Sequence, residues 1–252
     1  MGKIRPHSGP GPGTSTKFFV TIDFDGTVTD TDITDAVIKE FARPEWEEAE
    51  RLWEAGAIGS KECLSTQMSL IDSPLDRLVA YAGGFAVHES FIGFVNFLRE
   101  FHIPFAVISD GFRVFIEKLL EKAGAPDIPV YANRIKEEGG RLKTLFPYSS
   151  ATCPSGTCKC TTAEKLSDQL PLIHIGDGRS DFCLAEKAAY VFSKRKLTDH
   201  CASMGIPHSA FDDFITVEKR LKALLNHAVT PGVIHTCHEH RERERSLWNI
   251  AS

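Results

Sequence analysis

The stretch Phe18-Phe19-Val20-Thr21-Ile22-Asp23-Phe24-Asp25-Gly26-Thr27 decides the fold of this chain. Its apolar run is nearly continuous instead of alternating, which is typical of a strand buried on both faces of a parallel sheet. Two acids and a Gly-Thr pair close the run, at the end of the strand where open α/β sheets bind their ligands. The stretch therefore predicts a central strand with a ligand site at its carboxyl end.

Three further apolar runs are predicted to form strands of the same sheet, at residues 103–109, 172–176 and 189–192. Apolar residues at helical spacing fill 91–98, before the second run, and 112–120, after it. Strands that alternate with helices indicate right-handed crossovers. We therefore expect an α/β fold with a doubly wound, Rossmann-like parallel sheet.

The pattern divides the chain into a core, an insertion and two terminal segments. Residues 1–17, rich in Pro and Gly, are predicted to be a flexible leader, and residues 229–252 a polar tail. The core is expected over 18–29 and 89–228. Residues 30–88 are mostly helical in pattern, which predicts a small helical cap inserted after the first strand.

Composition excludes several classes of partner. The 252 residues carry a net charge of -5, so the chain lacks the excess of positive charge that is typical of nucleic-acid-binding proteins. No run approaches the roughly 18 apolar residues that a membrane span requires. The start of the chain lacks the apolar centre of a secretory signal. We expect a cytoplasmic protein without a membrane partner.

Three cysteines crowd one loop of the segment 130–161, which also contains a hairpin signal at Glu138-Gly139-Gly140-Arg141. Cys153, Cys158 and Cys160 are candidates for binding Zn²⁺, with Cys183 or a histidine as the fourth ligand. Their spacing of four residues and then one departs from the usual pairs in zinc sites. We therefore favour free thiols that pack the loop.

The acids that close the first strand favour a metal site. Residues two apart share one side of a strand, and the Gly-Thr turn that ends at Thr27 lets the chain curl around a small anion. The carboxylates of Asp23 and Asp25 repel each other, so a cation at the same place is expected. Oxygen ligands suit Mg²⁺.

Three more polar stretches follow in an order that chance rarely produces. Ser109-Asp110-Gly111 closes the second run, where a hydroxyl and amide groups at a helix N-terminus form an anion cradle. Lys159 precedes a helix expected to begin near Thr161. Gly176-Asp177-Gly178-Arg179-Ser180-Asp181 closes the third run and brings two more acids. Each stretch alone is an ordinary turn or surface group; together they predict one site.

The four stretches, spread over roughly residues 18 to 225, resemble the motifs of the haloacid dehalogenase superfamily of phosphatases. The resemblance implies that Asp23 is a nucleophile and Asp25 a general acid and base. It also implies phosphate binding by Ser109 and Lys159, and it places Asp177 and Asp181 among the motif acids. The helical insertion resembles the cap of the phosphoserine-phosphatase-like branch.

A mechanism and a metal follow from this resemblance. Mg²⁺ would be held by Asp23, the backbone carbonyl of Asp25 and Asp177, and Asp181 would orient Lys159 or the waters of the metal. A small-molecule phosphate ester would pass its phosphoryl group through an aspartyl-phosphate. The second acid argues against the dehalogenase branch, which needs no proton donor for its leaving group. A homodimer is left open.

The substrate is a separate question, and several resemblances bear on it. One subgroup of the branch is typified by the 2-hydroxy-3-keto-5-methylthiopentenyl-1-phosphate phosphatase of methionine salvage. Three features of this chain resemble that subgroup: Asp30-x-Asp32, the stretch from Phe41 to Trp46, and the cysteine loop. The stretch ending at Cys183 instead resembles phosphocholine and phosphoethanolamine phosphatases. Residues 109–111 are Ser-Asp-Gly, whereas phosphoserine phosphatases commonly have Ser-Gly-Gly at this motif. The difference weakens the assignment of phosphoserine as the substrate. A non-catalytic module that binds a metal or a phospho-ligand is the alternative from another class, and a phosphotransferase is a third.

Three residues of the predicted cap are candidates for contacting the leaving group. They are Arg43, Trp46 and Lys61. For Trp46 the competing interpretation is packing of a helix face, and for the two basic residues it is a solvated surface position.

Overall fold

The computed structural model describes residues 18–227. The strands are β1 (Phe19–Ile22), β2 (Phe105–Phe112), β3 (Val130–Glu138), β4 (Arg141–Leu145), β5 (Leu172–Gly176), β6 (Tyr190–Ser193) and β7 (His208–Ala210). The helices are α1 (Ile33–Phe41), α2 (Trp46–Glu54), α3 (Ser60–Ser69), α4 (Leu75–Ala82), α5 (Glu89–Glu100), α6 (Arg113–Lys122), α7 (Lys159–Ser167), α8 (Phe182–Ala185), α9 (Arg195–Met204) and α10 (Phe214–His227), with a 3-10 turn at Arg179–Asp181.

The strands form one sheet in the order β4-β3-β2-β1-β5-β6-β7. All neighbouring pairs are parallel except β3 and β4. The four apolar runs of the sequence coincide with β1, β2, β5 and β6, which confirms the doubly wound sheet. The predicted helical pattern at 91–98 lies within α5, and the one at 112–120 lies within α6 except for Phe112, which ends β2. β1 is central, so its carboxyl end meets the ends of β2 and β5.

The segment 130–161 is where the sequence prediction was incomplete. The hairpin at 138–141 is confirmed, since Glu138 pairs with Arg141 across β3 and β4. However, β3 is part of the main sheet and pairs in parallel with β2. Its outer half is largely exposed, which removes the continuous apolar pattern by which buried strands are recognised. The edge strand β7 was also not predicted, since its three residues hold no apolar run.

The core that fixes β1 is rich in aromatic rings. Phe214 of α10 lies 5.2 Å from Phe91 and 5.3 Å from Phe94 between ring centroids, and all three are fully buried. Burial of one such side chain contributes about 1.5 to 3 kcal/mol. Val20 and Ile22 of β1 are buried in the same cluster. This packing holds the end of β1, and the acids that follow it, at a defined position.

Helices α1 to α4 lie between β1 and α5 in the chain. α1 packs on α4, α4 on α6, and α3 on α2 and β4. The division into a core and a cap over residues 30–88 stays a prediction. No helix within 18–227 has the length and hydropathy to cross a membrane. The predicted leader (1–17) and polar tail (229–252) lie outside the described residues.

Candidate active site

The two acids after β1 are held in different ways. The amide of Asp23 donates to the Ile175 carbonyl of β5 at 2.8 Å, and its side chain is 4% exposed. The Asp25 carboxylate accepts from the Ile33 amide, at the start of α1, at 2.8 Å. Gly26 has φ +75° and a Cβ there would lie 2.4 Å from Asp177 Oδ2, so only glycine fits this turn. The turn thus brings Asp177 against the end of β1.

Lys159 is the cation of the site and is fully buried. Its Nζ lies 2.6 Å from Asp23 Oδ1 and 2.6 Å from Asp181 Oδ1. Burial works to lower the pKa of Lys159, but the carboxylates of Asp181 and Asp23 outweigh it and raise the pKa. The helix begins at Lys159 itself, two residues before the predicted Thr161, and Cys158 is its N-cap.

Asp181 supports Lys159. Its Oδ2 accepts from the amides of Asp177 and Gly178 at 3.1 and 3.0 Å. Its Oδ1 lies 3.0 Å from Nε2 of His174, a fully buried residue of β5 that the sequence analysis missed. Burial opposes ionisation, but Lys159 and then His174 lower the pKa of Asp181. A histidine inside an otherwise apolar strand was the available signal for this group.

Asp177 faces a second cation that sequence reasoning missed. Arg195 Nη1 lies 3.0 Å from Asp177 Oδ2, and Arg195 Nη2 donates to the Asp30 carbonyl at 3.0 Å. The Thr27 hydroxyl donates to Asp177 Oδ1 at 3.4 Å. No local motif marks Arg195; it reaches the site because β6, which it follows, lies beside β5.

Oxygen ligands for a metal converge at the end of β1. Carboxylate oxygens of Asp23, Asp177 and Asp181 all lie within 4.8 Å of one another, and within the described chain no other such group of three was found. Burial raises the pKa of Asp23 well above its usual value, and the charges of Asp181 and Asp177 add to this effect. A divalent cation would relieve that repulsion, and the all-oxygen donor set fits Mg²⁺. The Asp25 carboxylate is not in this group.

Ser109 and Gly111 lie beside the acids. Ser109 is 1% exposed, and its Oγ accepts from the Gly111 amide at 2.9 Å. A Cβ on Gly111 would lie 2.3 Å from Asp25 Oδ2. Glycine at this position therefore allows the ends of β1 and β2 to approach closely.

The Asp110 side chain is committed to protein contacts. Asp110 Oδ1 accepts from the Thr157 amide at 2.7 Å and from Asn133 Nδ2 at 3.1 Å. Its Oδ2 accepts a short hydrogen bond from the Ser60 hydroxyl of α3. The Asp110 carboxylate thus ties β2 to β3, to α3 and to the loop that precedes Lys159.

Asp110→Ala should lower the free energy of unfolding by about 2 to 4 kcal/mol. It leaves the Thr157 amide and the Ser60 hydroxyl without their Asp110 acceptor, at about 1 to 3 kcal/mol for each group, while Asn133 keeps its bond to the Asp110 carbonyl. Urea denaturation measures the loss. The control is Asp127→Ala, which removes an exposed pair with Arg99 that is worth under about 1 kcal/mol. Equal losses for the two variants would contradict the structural role of Asp110.

A cavity of about 380 Å³ opens over these residues. From the sequence-predicted set it is lined by Asp23, Asp25, Ser109, Asp110, Gly111 and Asp177. Thr27, Lys159 and Asp181 lie behind this layer, fully buried. Residues of α1, α2 and α3 also line the cavity.

The three predicted cap contacts do not line the cavity. Arg43 lies 3.9 Å from Asp72, with both side chains exposed. Trp46 packs against the main core, and the Lys61 ammonium lies 5.6 Å from the Phe146 ring centroid. Their positions follow from how the helices pack, so the surface and packing interpretations describe them better.

The cysteine loop contains free thiols. Cys158 and Cys160 are buried with their sulphurs 3.5 Å apart, and Cys153 and Cys183 pack against the same small cluster. Among the described residues, no three cysteine sulphurs lie within 4.8 Å of one another. The geometry therefore agrees with thiols that pack the loop.

Comparisons with known proteins agree with this geometry. The model of the haloacid dehalogenase-like hydrolase family matches residues 20–186. The 2-hydroxy-3-keto-5-methylthiopentenyl-1-phosphate phosphatase of Brevibacillus brevis is 30% identical over 227 residues, which cover 85% of this chain and 100% of that protein. The protein of the same name from Lysinibacillus sphaericus is 31% identical over 227 residues, covering 84% and 98%.

Solved structures show the same fold. A phospho-aspartyl intermediate analogue of phosphoserine phosphatase superposes with a TM-score of 0.60 at 17% identity, covering 84% of this chain and 99% of that one. Phosphoserine phosphatase from T. onnurineus gives a TM-score of 0.62 at 18% identity, covering 82% and 95%. The predicted resemblance is thus confirmed, and the enzyme class is that of a phosphoric monoester hydrolase. The chain belongs to the haloacid dehalogenase-like hydrolase family.

Proposed function

We propose that this protein is a Mg²⁺-dependent phosphatase that transfers the phosphoryl group of a small ester to Asp23 and then to water. The observation that carries the proposal is the Asp23 carboxylate, which lines the cavity, lies 2.6 Å from the Lys159 ammonium and shares an oxygen cluster with Asp177. A carboxylate nucleophile divides one difficult displacement into two easier ones.

Attack of Asp23 on phosphorus needs stabilisation of the negative charge on the transferred group. Lys159 fixes the orientation of Asp23, because its Nζ is itself held by Asp181. The Ser109 hydroxyl, whose oxygen accepts from the Gly111 amide at the end of β2, is placed to donate to a phosphoryl oxygen. Positioning and charge stabilisation of this kind supply most of the catalysis in phosphoryl transfer.

Asp25 supplies the proton. Burial raises the pKa of its carboxyl to about 6, so it holds a proton more readily near neutral pH than an exposed aspartate does. It protonates the oxygen of the departing alcohol as the P–O bond breaks. The resulting carboxylate then takes a proton from the water that attacks the phosphorus of the aspartyl-phosphate, which restores Asp23.

Mg²⁺ would be held by the carboxylates of Asp23 and Asp177 and by the backbone carbonyl of Asp25. When bound, it offsets the repulsion between the carboxylate nucleophile and the phosphate dianion. Asp181 would support the metal site indirectly, because its oxygens already accept hydrogen bonds from Lys159 and from the amides of Asp177 and Gly178. The cytoplasmic location and the homodimer stay predictions.

The relatives in Brevibacillus brevis and Lysinibacillus sphaericus support 2-hydroxy-3-keto-5-methylthiopentenyl-1-phosphate as the substrate. Each aligns over most of this chain, including the helices that form the outer cavity wall. The alternatives are phosphocholine or phosphoethanolamine, and phosphoserine. The solved phosphoserine phosphatases are 17 and 18% identical and bear on the fold alone.

The test measures phosphate release from this substrate, from phosphocholine, from phosphoethanolamine and from phosphoserine. With Mg²⁺ we expect the methylthiopentenyl ester to give the highest kcat/KM. EDTA should abolish turnover, and added Mg²⁺ should restore it. Turnover that persists in EDTA would contradict the metal, and a higher kcat/KM for another ester would contradict the substrate.

Asp25→Asn should affect esters according to their leaving groups. Alkyl esters need a proton donor, so their turnover should fall by about 10²- to 10⁴-fold. With p-nitrophenyl phosphate, a stable leaving group departs without a proton, but the aspartyl-phosphate then lacks its base. Stopped-flow absorbance should therefore show a burst of about one equivalent of p-nitrophenolate followed by slow turnover. Unchanged steady-state turnover of alkyl esters would contradict the role of Asp25.

A further inference from the structure

The outer wall of the cavity is built from single faces of two helices. Its residues from α2 and α3 are Glu50, Trp53, Glu54, Ser60, Cys63, Leu64 and Gln67. On α3 these positions follow the i, i+3, i+4, i+7 spacing of one helical stripe, and on α2 they follow i, i+3, i+4. A phosphate ester bound at Asp23 has its leaving group in the same cavity, so the residues of this wall are candidates to contact it.

Glu50 is held in this wall through one of its oxygens. Gln67 Nε2 donates to Glu50 Oε2 at 2.9 Å, and Cys63 Sγ lies 3.8 Å from the same oxygen. Gln67 is 1% exposed and Cys63 3%, so the carboxylate is fixed from the buried side. Within residues 18–227 no group donates to Oε1. A fixed carboxylate at the cavity wall thus retains an acceptor for a ligand.

The part of the wall that comes from residues 30–88 is acidic. These residues contribute four carboxylates to the lining and, within the described chain, no lysine or arginine; the four are Asp32, Asp35, Glu50 and Glu54. The basic lining residues Arg179, Arg195 and Lys196 all come from segments after β5 and β6. A leaving group that carries a carboxylate would be repelled by the four carboxylates, of which, in the described part of the chain, only Asp35 has a paired lysine, Lys39.

A cationic leaving group is disfavoured by Arg179. Its guanidinium lies 5.7 Å from the centroid of the Trp53 ring, and its Nη1 donates to the carbonyls of Trp53 and Glu54 at 2.9 and 3.0 Å. The aromatic face that could receive an ammonium group is thus occupied by a cation of the protein itself. The wall is left with a carboxylate acceptor beside the apolar surfaces of Trp53 and Leu64.

We propose that Glu50 is a specificity-determining residue, whose carboxylate accepts a hydrogen bond from a hydroxyl of an uncharged leaving group while Trp53 and Leu64 contact its apolar part. This inference rests on the proposed function and deepens it. A leaving group with a hydroxyl near the ester and a methylthio end could donate to Glu50 through the hydroxyl and contact Trp53 and Leu64 through the methylthio group.

Three stable three-carbon esters isolate the interaction: n-propyl phosphate, glycerol 1-phosphate and 3-phosphoglycerate. The first lacks hydroxyls, and the third has a carboxylate where the second has a terminal CH₂OH group. For the wild-type enzyme we expect kcat/KM for glycerol 1-phosphate to exceed those of both others by about tenfold, as a hydrogen bond to a charged group provides. Glu50→Ala should reduce the ratio of glycerol to propyl ester to about one.

Glu50→Gln removes the negative charge of the side chain but keeps an oxygen that accepts a hydrogen bond. It therefore separates the effect of the charge from that of the hydrogen bond. It should raise kcat/KM for 3-phosphoglycerate relative to glycerol 1-phosphate by about fivefold or more. The matched control is Glu47→Ala on the exposed side of the same helix, which should leave all three ratios unchanged.

An equal loss for all three esters in Glu50→Ala would show that Glu50 only maintains the fold of the wall and would overturn the proposal. A wild-type enzyme that does not distinguish glycerol 1-phosphate from n-propyl phosphate would also overturn it. Failure of the proposed function appears separately, as absence of phosphate release from the methylthiopentenyl ester while the ratios among the stable esters remain measurable.

Discussion

Asp23→Asn should reduce kcat for every phosphate ester by at least about 10⁴-fold, the scale of loss when a covalent nucleophile is removed. The amide has nearly the same shape as the carboxylate but cannot attack phosphorus. The fold should persist, because the substitution also removes the repulsion between Asp23 and its neighbours Asp181 and Asp177. Phosphate release measures the rate, and thermal unfolding with circular dichroism measures the fold.

The matched control is Asp30→Asn, an exposed position in the same segment. Its backbone carbonyl, which accepts from Arg195, is unchanged by the substitution. The control should keep wild-type kcat. If Asp23→Asn retains more than about one per cent of the rate with an intact fold, another group attacks phosphorus and the assignment is wrong.

Lys159→Met should lower both stability and activity. Methionine fills similar space, but the carboxylates of Asp23 and Asp181 lose the ammonium that lies 2.6 Å from each. Removing one partner from a buried ion pair destabilises a protein by about 3 to 5 kcal/mol, because an uncompensated charge remains buried. Urea denaturation measures this loss, and kcat on glycerol 1-phosphate should fall below detection.

The double variant Lys159→Met/Asp181→Asn tests the cause. Removing the second buried charge should recover about half of the lost stability, while activity should remain absent. A single Lys159→Met variant that loses less than about 1 kcal/mol would show that the ion pairs contribute little to folding. Recovery of activity in the double variant would show that Lys159 acts only as a partner of Asp181.

Sequence patterns identified the parts of the fold that depend on local burial. Strands buried on both faces leave continuous apolar runs, and this holds for β1, β2, β5 and β6. β3 escaped because its outer half is exposed and its sequence there is polar. Acids, a serine and a lysine at strand ends or a helix start predicted a common site, because parallel strands end at one edge of a sheet.

The partners of those residues could not be found in the same way. Arg195 carries no motif, and it reaches Asp177 only because β6, which it follows, lies beside β5. Asp110 looked like a phosphate ligand, but its carboxylate binds Ser60, which lies 50 residues away. Such contacts depend on the packing of elements that are distant in the chain.

The amino-acid sequence alone predicted four strands from their apolar runs, the acids that we propose to react, and the family. Tertiary structure alone decided which residues of 30–88 line the cavity: Glu50 and Gln67 do, whereas Arg43 and Lys61 do not. The physical reason is that a helical pattern tells which residues share a face, but only the packing of α2 and α3 against the rest of the protein determines where that face points.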